Sequence, residues 1–372
     1  MLHGYSVIRA LCWGLSSGTS AGARSPALIT MFIILAGTSL YAIPVVDTVF
    51  ADTVPTTLTV HASGVTESAD DSLYVPRSEF TYANNQRYTF LGGRPLRHTN
   101  VQTLPLVGMG VAYAAVFTAL HINQTQAWWK DKTGGWHVIE DLEYARWLDK
   151  YGHLFAGYAM STLPADILME AGVEQEQARW IGAGLGLLYQ TYVEVQDGFA
   201  ANWGFSPSDE IANVAGCTYF LLQYYVPYLE NFSPRWSYVP SEWTGGRELN
   251  ERPKTFIDDY SSTTFWLACN VHNMLPASCK PYWPDWLMLS VGYGIRNYAT
   301  LDAAGNALPV LQRFMIGLDY NWVKILPTSS VGFLNYLRQC LNIIRFPGPT
   351  LEWGDEGPSF KFLYPFQISV PL

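Results

Sequence analysis

The chain has 372 residues, enough for two domains of ordinary size. Only 14% are charged against 49% hydrophobic, and a mean hydropathy of +0.06 fits neither a plain soluble enzyme nor a plain polytopic membrane protein. A net charge of −9 without a Lys/Arg cluster argues against nucleic acid as a partner. The 15% aromatic content suits a membrane interface, an aromatic core or outer-membrane-type strands.

Residues 1–51 read as an export leader or an N-terminal anchor. The apolar run "SPALITMFIILAGTSLYA" follows Arg24, and Ala42 or Ala51 would end a signal peptide. No cysteine follows that run at lipobox spacing. Residues 52–100, rich in Ser, Thr, Asp, Gly and Pro, read as an irregular linker. Residues 101–232 then carry a bundle of about four helices. "LPLVGMGVAYAAVFTAL" is a candidate spanning or fully buried helix, and a polar, Trp-rich stretch follows it. A second helix is expected from about Asp149 to Met169, with a kink at Pro164; its start could lie as early as Asp141. The third covers about Glu174 to Asp197 and stops at Gly198. The fourth opens on the cap Ser206, with Pro207 at its first position and Asp209 three residues after the cap, and fades towards Leu229.

From 233 to 372 the apolar period becomes two. Leu287, Leu289, Val291, Tyr293 and Ile295 alternate with Met288, Ser290, Gly292, Gly294 and Arg296. Phe314, Ile316, Leu318, Tyr320 and Trp322 alternate likewise with Met315, Gly317, Asp319 and Asn321. "TTFWLACNV" and "FKFLYPF" are further strand candidates. Four or five strands cannot close a barrel, so a sheet packed on the helices is expected. The fold class is therefore α+β, a helical bundle (soluble or membrane-embedded) followed by an antiparallel β-rich region. Cys269 and Cys279 either close a disulfide loop in an oxidising compartment or are ordinary thiols. Cys217 reads as packing.

Helical spacing gathers the ionisable residues. Asp149 and His153 lie four apart, as do Asp209 and Asn213, while Gln190, Glu194 and Asp197 form one stripe. Short connections make neighbouring helices antiparallel, so all three groups converge on one end of the bundle. Lys150 is there too, but from Tyr151 to Glu230 the sole Lys or Arg is Arg179. Surplus buried carboxylates protonate, stay wet or bind a cation. A divalent cation on His153, Glu194 and Asp197 is one reading. His153, Glu194, Asp197 and Asp209 as proton carriers or bases is the catalytic form of it. The plainer reading makes Ser206 with Asp209 a capping box, Asp149 a helix-start carboxylate, and the network of Asp149, Lys150, Gln190, Ser206 and Asn213 a device that fixes helix register.

"DKYGH", "YVEVQDGF", "WGFSPSDEIANVAG", "DDYSSTTFWLACNV" and "DWLMLSVGYG" occur in an order that resembles the YfiM-like family of predicted periplasmic lipoproteins, a domain of unknown function, from about Trp129 to the C-terminus. More distantly the order resembles VanZ-like membrane proteins. Asp149, Lys150, His153, Glu194, Asp197, Ser206, Asp209, Asn213 and Gly216 match the shared pattern. The resemblance implies a periplasmic or membrane-associated protein of the cell envelope and supplies no reaction. Two functions follow as expectations: a site for a divalent cation or a polar lipid-linked ligand, or a non-enzymatic envelope component. Its partners would be envelope lipids and, through the β-rich region, an envelope protein.

Overall fold

The computed structural model describes residues 71–130, 135–244, 255–302, 304–355, 357–366 and 369–370. The expected leader or anchor lies outside them. Within the expected linker, residues 71–100 are irregular but they are not a spacer. A small hairpin, β1 (Thr81–Tyr82) and β2 (Asn85–Gln86), packs on the helices, with Phe80 fully buried against Leu168, Met169 and Val173.

Four long helices follow: α1 (Thr103–Ala127), α2 (Leu148–Glu170), α3 (Gln175–Asp197) and α4 (Pro207–Tyr225). Helix α2 runs without interruption through Pro164, and α3 stops at Gly198 as its sequence predicts. Helix α4 ends four residues short of Leu229, because Val226 leaves helical geometry ahead of Pro227. Helix α2 is the central element, and glycines let its neighbours approach it closely. A Cβ on Gly182 of α3 would stand 2.7 Å from the Ser161 carbonyl oxygen, and one on Gly186 2.9 Å from the Ser161 nitrogen. The Gly-x-x-x-Gly spacing of that pair is a close-packing signature that the polar-residue reading passes over.

Helix α1 differs from the other three. It has no Asp, Glu, Lys or Arg, and its apolar residues are spread around its circumference. At ~1.5 Å per residue it is about 37 Å long, and among the described residues it is the one helix long and apolar enough to cross a membrane. Leu104 is 82% exposed, and Val107, Val111 and Ile122 are exposed too. One side leans on α3, where the Tyr113 hydroxyl donates to the Leu185 carbonyl at 3.0 Å and Phe117 meets Tyr189 edge-on.

The C-terminal half is a seven-stranded antiparallel meander in sequence order. Its strands are β3 (Phe232–Tyr238), β4 (Thr263–Cys269), β5 (Leu287–Arg296), β6 (Leu311–Tyr320), β7 (Gly348–Gly354), β8 (Gly357–Tyr364) and the short β9 (Ser369–Val370). Between β6 and β7 lies helix α5 (Gly332–Cys340). There are more strands than the sequence reading foresees, since the β3, β7 and β9 segments are broken by Pro, Gly or polar residues.

The alternation read in β5 and β6 holds residue by residue, as the pairings Val291–Ile316 and Gly292–Met315 show. The buried face, however, is the polar one. It carries Arg235, Ser290, Arg313, Asp319 and Thr350, all buried. The opposite face presents Val291, Phe314, Ile316, Leu351, Trp353 and Phe362 to the outside. The sheet therefore sits on the helices over only part of its apolar face, where Phe155 meets Phe265 and Tyr151 meets Tyr293. Curvature explains the inversion. The Thr264 hydroxyl on β4 lies 3.0 Å from the Tyr364 hydroxyl on β8, with three strands between them. In a flat sheet those strands would be ~19 Å apart, so the meander curls around its polar side chains.

Cys217, Cys269, Cys279 and Cys340 are free thiols, the second of the two alternatives for Cys269 and Cys279. Cys269 is half-buried at the end of β4, whereas Cys279 is exposed at the turn ahead of a short 3-10 segment.

Candidate functional site

Helix α2 begins abruptly. Ala145, Arg146 and Trp147 all have positive φ, a left-handed run without glycine, and Tyr293 holds it by donating its hydroxyl to the Arg146 carbonyl at 2.6 Å. The turn ends any extension of the helix towards Asp141 and places Asp149 and Lys150 in the first turn, with His153 one turn on.

Lys150 Nζ lies 2.5 Å from Asp141 Oδ1, 2.9 Å from Asp149 Oδ2 and 2.6 Å from Asp209 Oδ1. His153 faces carboxylates on both nitrogens: Nε2 is 3.8 Å from Asp149 Oδ1 and 3.6 Å from Asp209 Oδ1, and Nδ1 is 3.6 Å from Glu194 Oε1. Its Nδ1 also sits 3.1 Å from Asn213 Oδ1, which accepts a bond from Gln190 Nε2 at 3.1 Å. Glu194 Oε2 accepts the Ser206 backbone N–H at 3.2 Å. Asp149, His153, Glu194, Asp209, Asn213 and Gln190 thus form one cluster with Lys150 at its edge. The His153 side chain keeps 18% of its surface exposed, so solutes can reach it.

Two sequence expectations change. Asp197 turns away from the cluster's hydrogen bonds and accepts from Trp129 Nε1 at 2.6 Å. The set with one ligand atom each within 4.8 Å of the others is Asp149, His153 and Asp209, rather than His153, Glu194 and Asp197. The reason is helical phase: Glu194 lies under Nδ1 and Asp197 nearly a turn further on. Ser206 does cap α4 by accepting the Asp209 N–H at 3.3 Å, but the Asp209 carboxylate does not return to the cap. It faces Lys150 and His153 instead, so the capping box is only half formed.

Three members escape the sequence reading as partners. Asp141 accepts from both Lys150 and the Ser206 hydroxyl, the latter at 2.6 Å. The Tyr260 hydroxyl donates to Asp149 Oδ1 at 2.5 Å, and Trp129 holds Asp197. Asp141, Trp129 and Tyr260 lie outside the helices, where no period marks them.

The charges are strongly linked. Burial opposes the charge on His153, but Asp149, Asp209 and Glu194 outweigh it and push its pKa up to about 9. Burial lifts Glu194 to about 8, against the pull of His153, and lifts Asp197 and Asp209 to about 7. Asp149 is the exception: despite burial, His153, Lys150 and Tyr260 hold it below its usual value.

A raised pKa means that the folded chain binds more protons than the unfolded one, so stability falls as pH rises through that interval. The stabilising charge on His153 is complete below about 6.5 and lost as pH passes about 9, while Glu194 becomes costly on the way from about 4.5 to 8. In metal-free buffer the protein should lose on the order of 2 kcal/mol between pH 6.5 and 9, read as a falling Tm. Glu194→Gln should flatten the lower part of that fall. A Tm that holds or rises over this window would show that these groups titrate normally.

Residues 134–225 match the model of a family described as predicted periplasmic lipoprotein (DUF2279). The match spans α2, α3 and α4 with Asp141 and stops where α4 ends, so the sheet that the wider resemblance includes lies beyond it. No curated protein and no solved structure matches the chain. The family description agrees with an exported, envelope-associated protein.

Proposed function

We propose that this envelope protein binds one divalent cation between Asp149, His153 and Asp209. The observation that carries the reading is the approach of one ligand atom from each to within 4.8 Å, among carboxylates that outnumber the cations beside them. Two donors 3.6 and 3.8 Å from His153 Nε2 suit an ion roughly 2.1 Å from each, with angles near ~120–130°. One imidazole with two carboxylates favours Zn²⁺ or Mn²⁺ and leaves positions for water or a ligand. Glu194 beside Nδ1 would orient the ring from behind. With an ion in place, Glu194 would handle protons next to a polar, lipid-linked substrate, while Gln190 and Asn213 position the His153 ring through hydrogen bonds. Asp197, committed to Trp129, would stay outside the ligand set.

The exposed length of α1 and the uncovered aromatic face of the sheet support envelope lipids as the neighbour of this site, and an envelope protein on the β-rich region as the other partner. The match of residues 134–225 to a predicted periplasmic lipoprotein family, and the resemblance of the block order to YfiM-like and VanZ-like proteins, support the same setting.

One observation favours a second reading. The Lys150 ammonium already lies among three carboxylates, so the cluster can serve as an internal lock on helix packing. Lys150→Met separates the two. If the site takes a cation, removing the built-in competitor should tighten Zn²⁺ or Mn²⁺ binding at least tenfold in calorimetry of chelator-stripped protein, while His153→Ala and Asp209→Asn should weaken it at least tenfold. If wild type and Lys150→Met both ignore the metals, and Lys150→Met only melts lower, the lock reading stands instead.

A further inference from the structure

A cavity of about 90 Å³ lies apart from the His153 cluster, where the β1–β2 hairpin meets α2, α4, β3 and the end of α5. Two guanidinium groups line it, and they are in different situations. Arg87 is closed off by a 2.5 Å ion pair with Asp166. Arg179 has no such partner among the described residues. It is 1% exposed, and its guanidinium lies over the rings of Phe220 and Tyr224 at 5.1 and 5.3 Å. Nη1 makes one long bond of 3.5 Å to the Phe220 carbonyl, while Nε and Nη2 meet no acceptor among the described residues.

Those two N–H groups form one edge of the guanidinium, the edge whose spacing matches two oxygens of a single carboxylate or phosphate. The nearby carboxylates are engaged elsewhere: Asp166 with Arg87, and Glu230 as acceptor of the Ala83 N–H at 2.7 Å. Two further lining residues, Gln223 and Asn85, have buried acceptors, Oε1 and Oδ1, without donors among the described residues. Leaving a buried guanidinium uncompensated costs several kcal/mol. Stacking on two rings offsets part of that but leaves the N–H edge unanswered.

We propose that this cavity binds a compact oxyanion, a carboxylate or phosphate group, in a bidentate grip on the Nε/Nη2 edge of Arg179. Gln223 and Asn85 accept from a protonated oxygen of the ligand or from a water beside it. The site is independent of the cation site: it draws on the α3 residue Arg179 and the hairpin, and its ligand has the opposite charge.

The test titrates the full chain with inorganic phosphate and with acetate against chloride at matched ionic strength, with chelator present throughout, following Tm and, for phosphate, ³¹P line broadening. At least one of the two should raise Tm saturably in the wild type and not in Arg179→Met. Arg179→Lys, which keeps the charge but loses the fork, should bind at least tenfold more weakly and serves alone if Arg179→Met does not fold. No saturable response beyond chloride, or the same response in the Arg179 variants, would overturn the proposal and leave the cavity to water. Because chelator is present, failure of the cation reading would not affect the outcome.

Discussion

Gly216→Val should destabilise the protein by about 3 kcal/mol or more. A Cβ at Gly216 would stand 2.0 Å from the Leu154 carbonyl oxygen and 2.9 Å from the Tyr158 nitrogen, so it meets backbone rather than a movable side chain. Gly157 faces α4 in the same way, with its Cβ position 2.5 Å from the Asn213 carbonyl oxygen. Helices α2 and α4 would have to separate. His153 is the residue before Leu154, and Asn213 lies about one turn before Gly216, so separation would also open the polar cluster. Denaturant unfolding gives the first number. The second readout is the pH dependence of Tm, which should weaken along with stability. A melting temperature within a degree or two of wild type would mean that the close crossing of α2 and α4 is not present.

Asp319→Ala should cost about 3–5 kcal/mol, because it strands a charge inside the curled sheet. Arg235 is 1% exposed and Asp319 is fully buried; Nη1 donates to Oδ1 at 2.9 Å and shares its position with the Tyr320 carbonyl. Met288 packs beside Nη2. Removing the carboxylate leaves the guanidinium with a carbonyl and a sulfur. Replacing both members, as Arg235→Met with Asp319→Leu, should recover most of the loss, since a buried pair adds little net stability over well-packed apolar side chains. The double-mutant cycle checks this directly. A cost below about 1 kcal/mol for Asp319→Ala would mean that water fills the interior of the sheet.

The helices were legible because apolar spacing, the Ser206 cap and Gly198 leave local signatures. The convergence of His153, Glu194, Asp209 and Asn213 was legible for a related reason: short antiparallel connections leave few ways to arrange three helices. What lay beyond reach is non-local. Period two in β5 and β6 separates two faces of a strand but cannot say which face is buried, and here curvature turned the polar one inwards. Tyr260 reaches Asp149 from 111 positions away, and Asp141 reaches Lys150 from a loop. Arg179 was visible as an isolated cation; that it would line a cavity depends on a hairpin nearly a hundred residues earlier.

The most direct measurement is an anomalous-difference map from crystals of the protein loaded with Mn²⁺ or Zn²⁺. A cation site predicts one dominant peak about 2.0–2.2 Å from His153 Nε2 and from one carboxylate oxygen each of Asp149 and Asp209, with the Lys150 ammonium moved aside. Crystals that take up metal only elsewhere, with Lys150 still seated between Asp149 and Asp209, would contradict it.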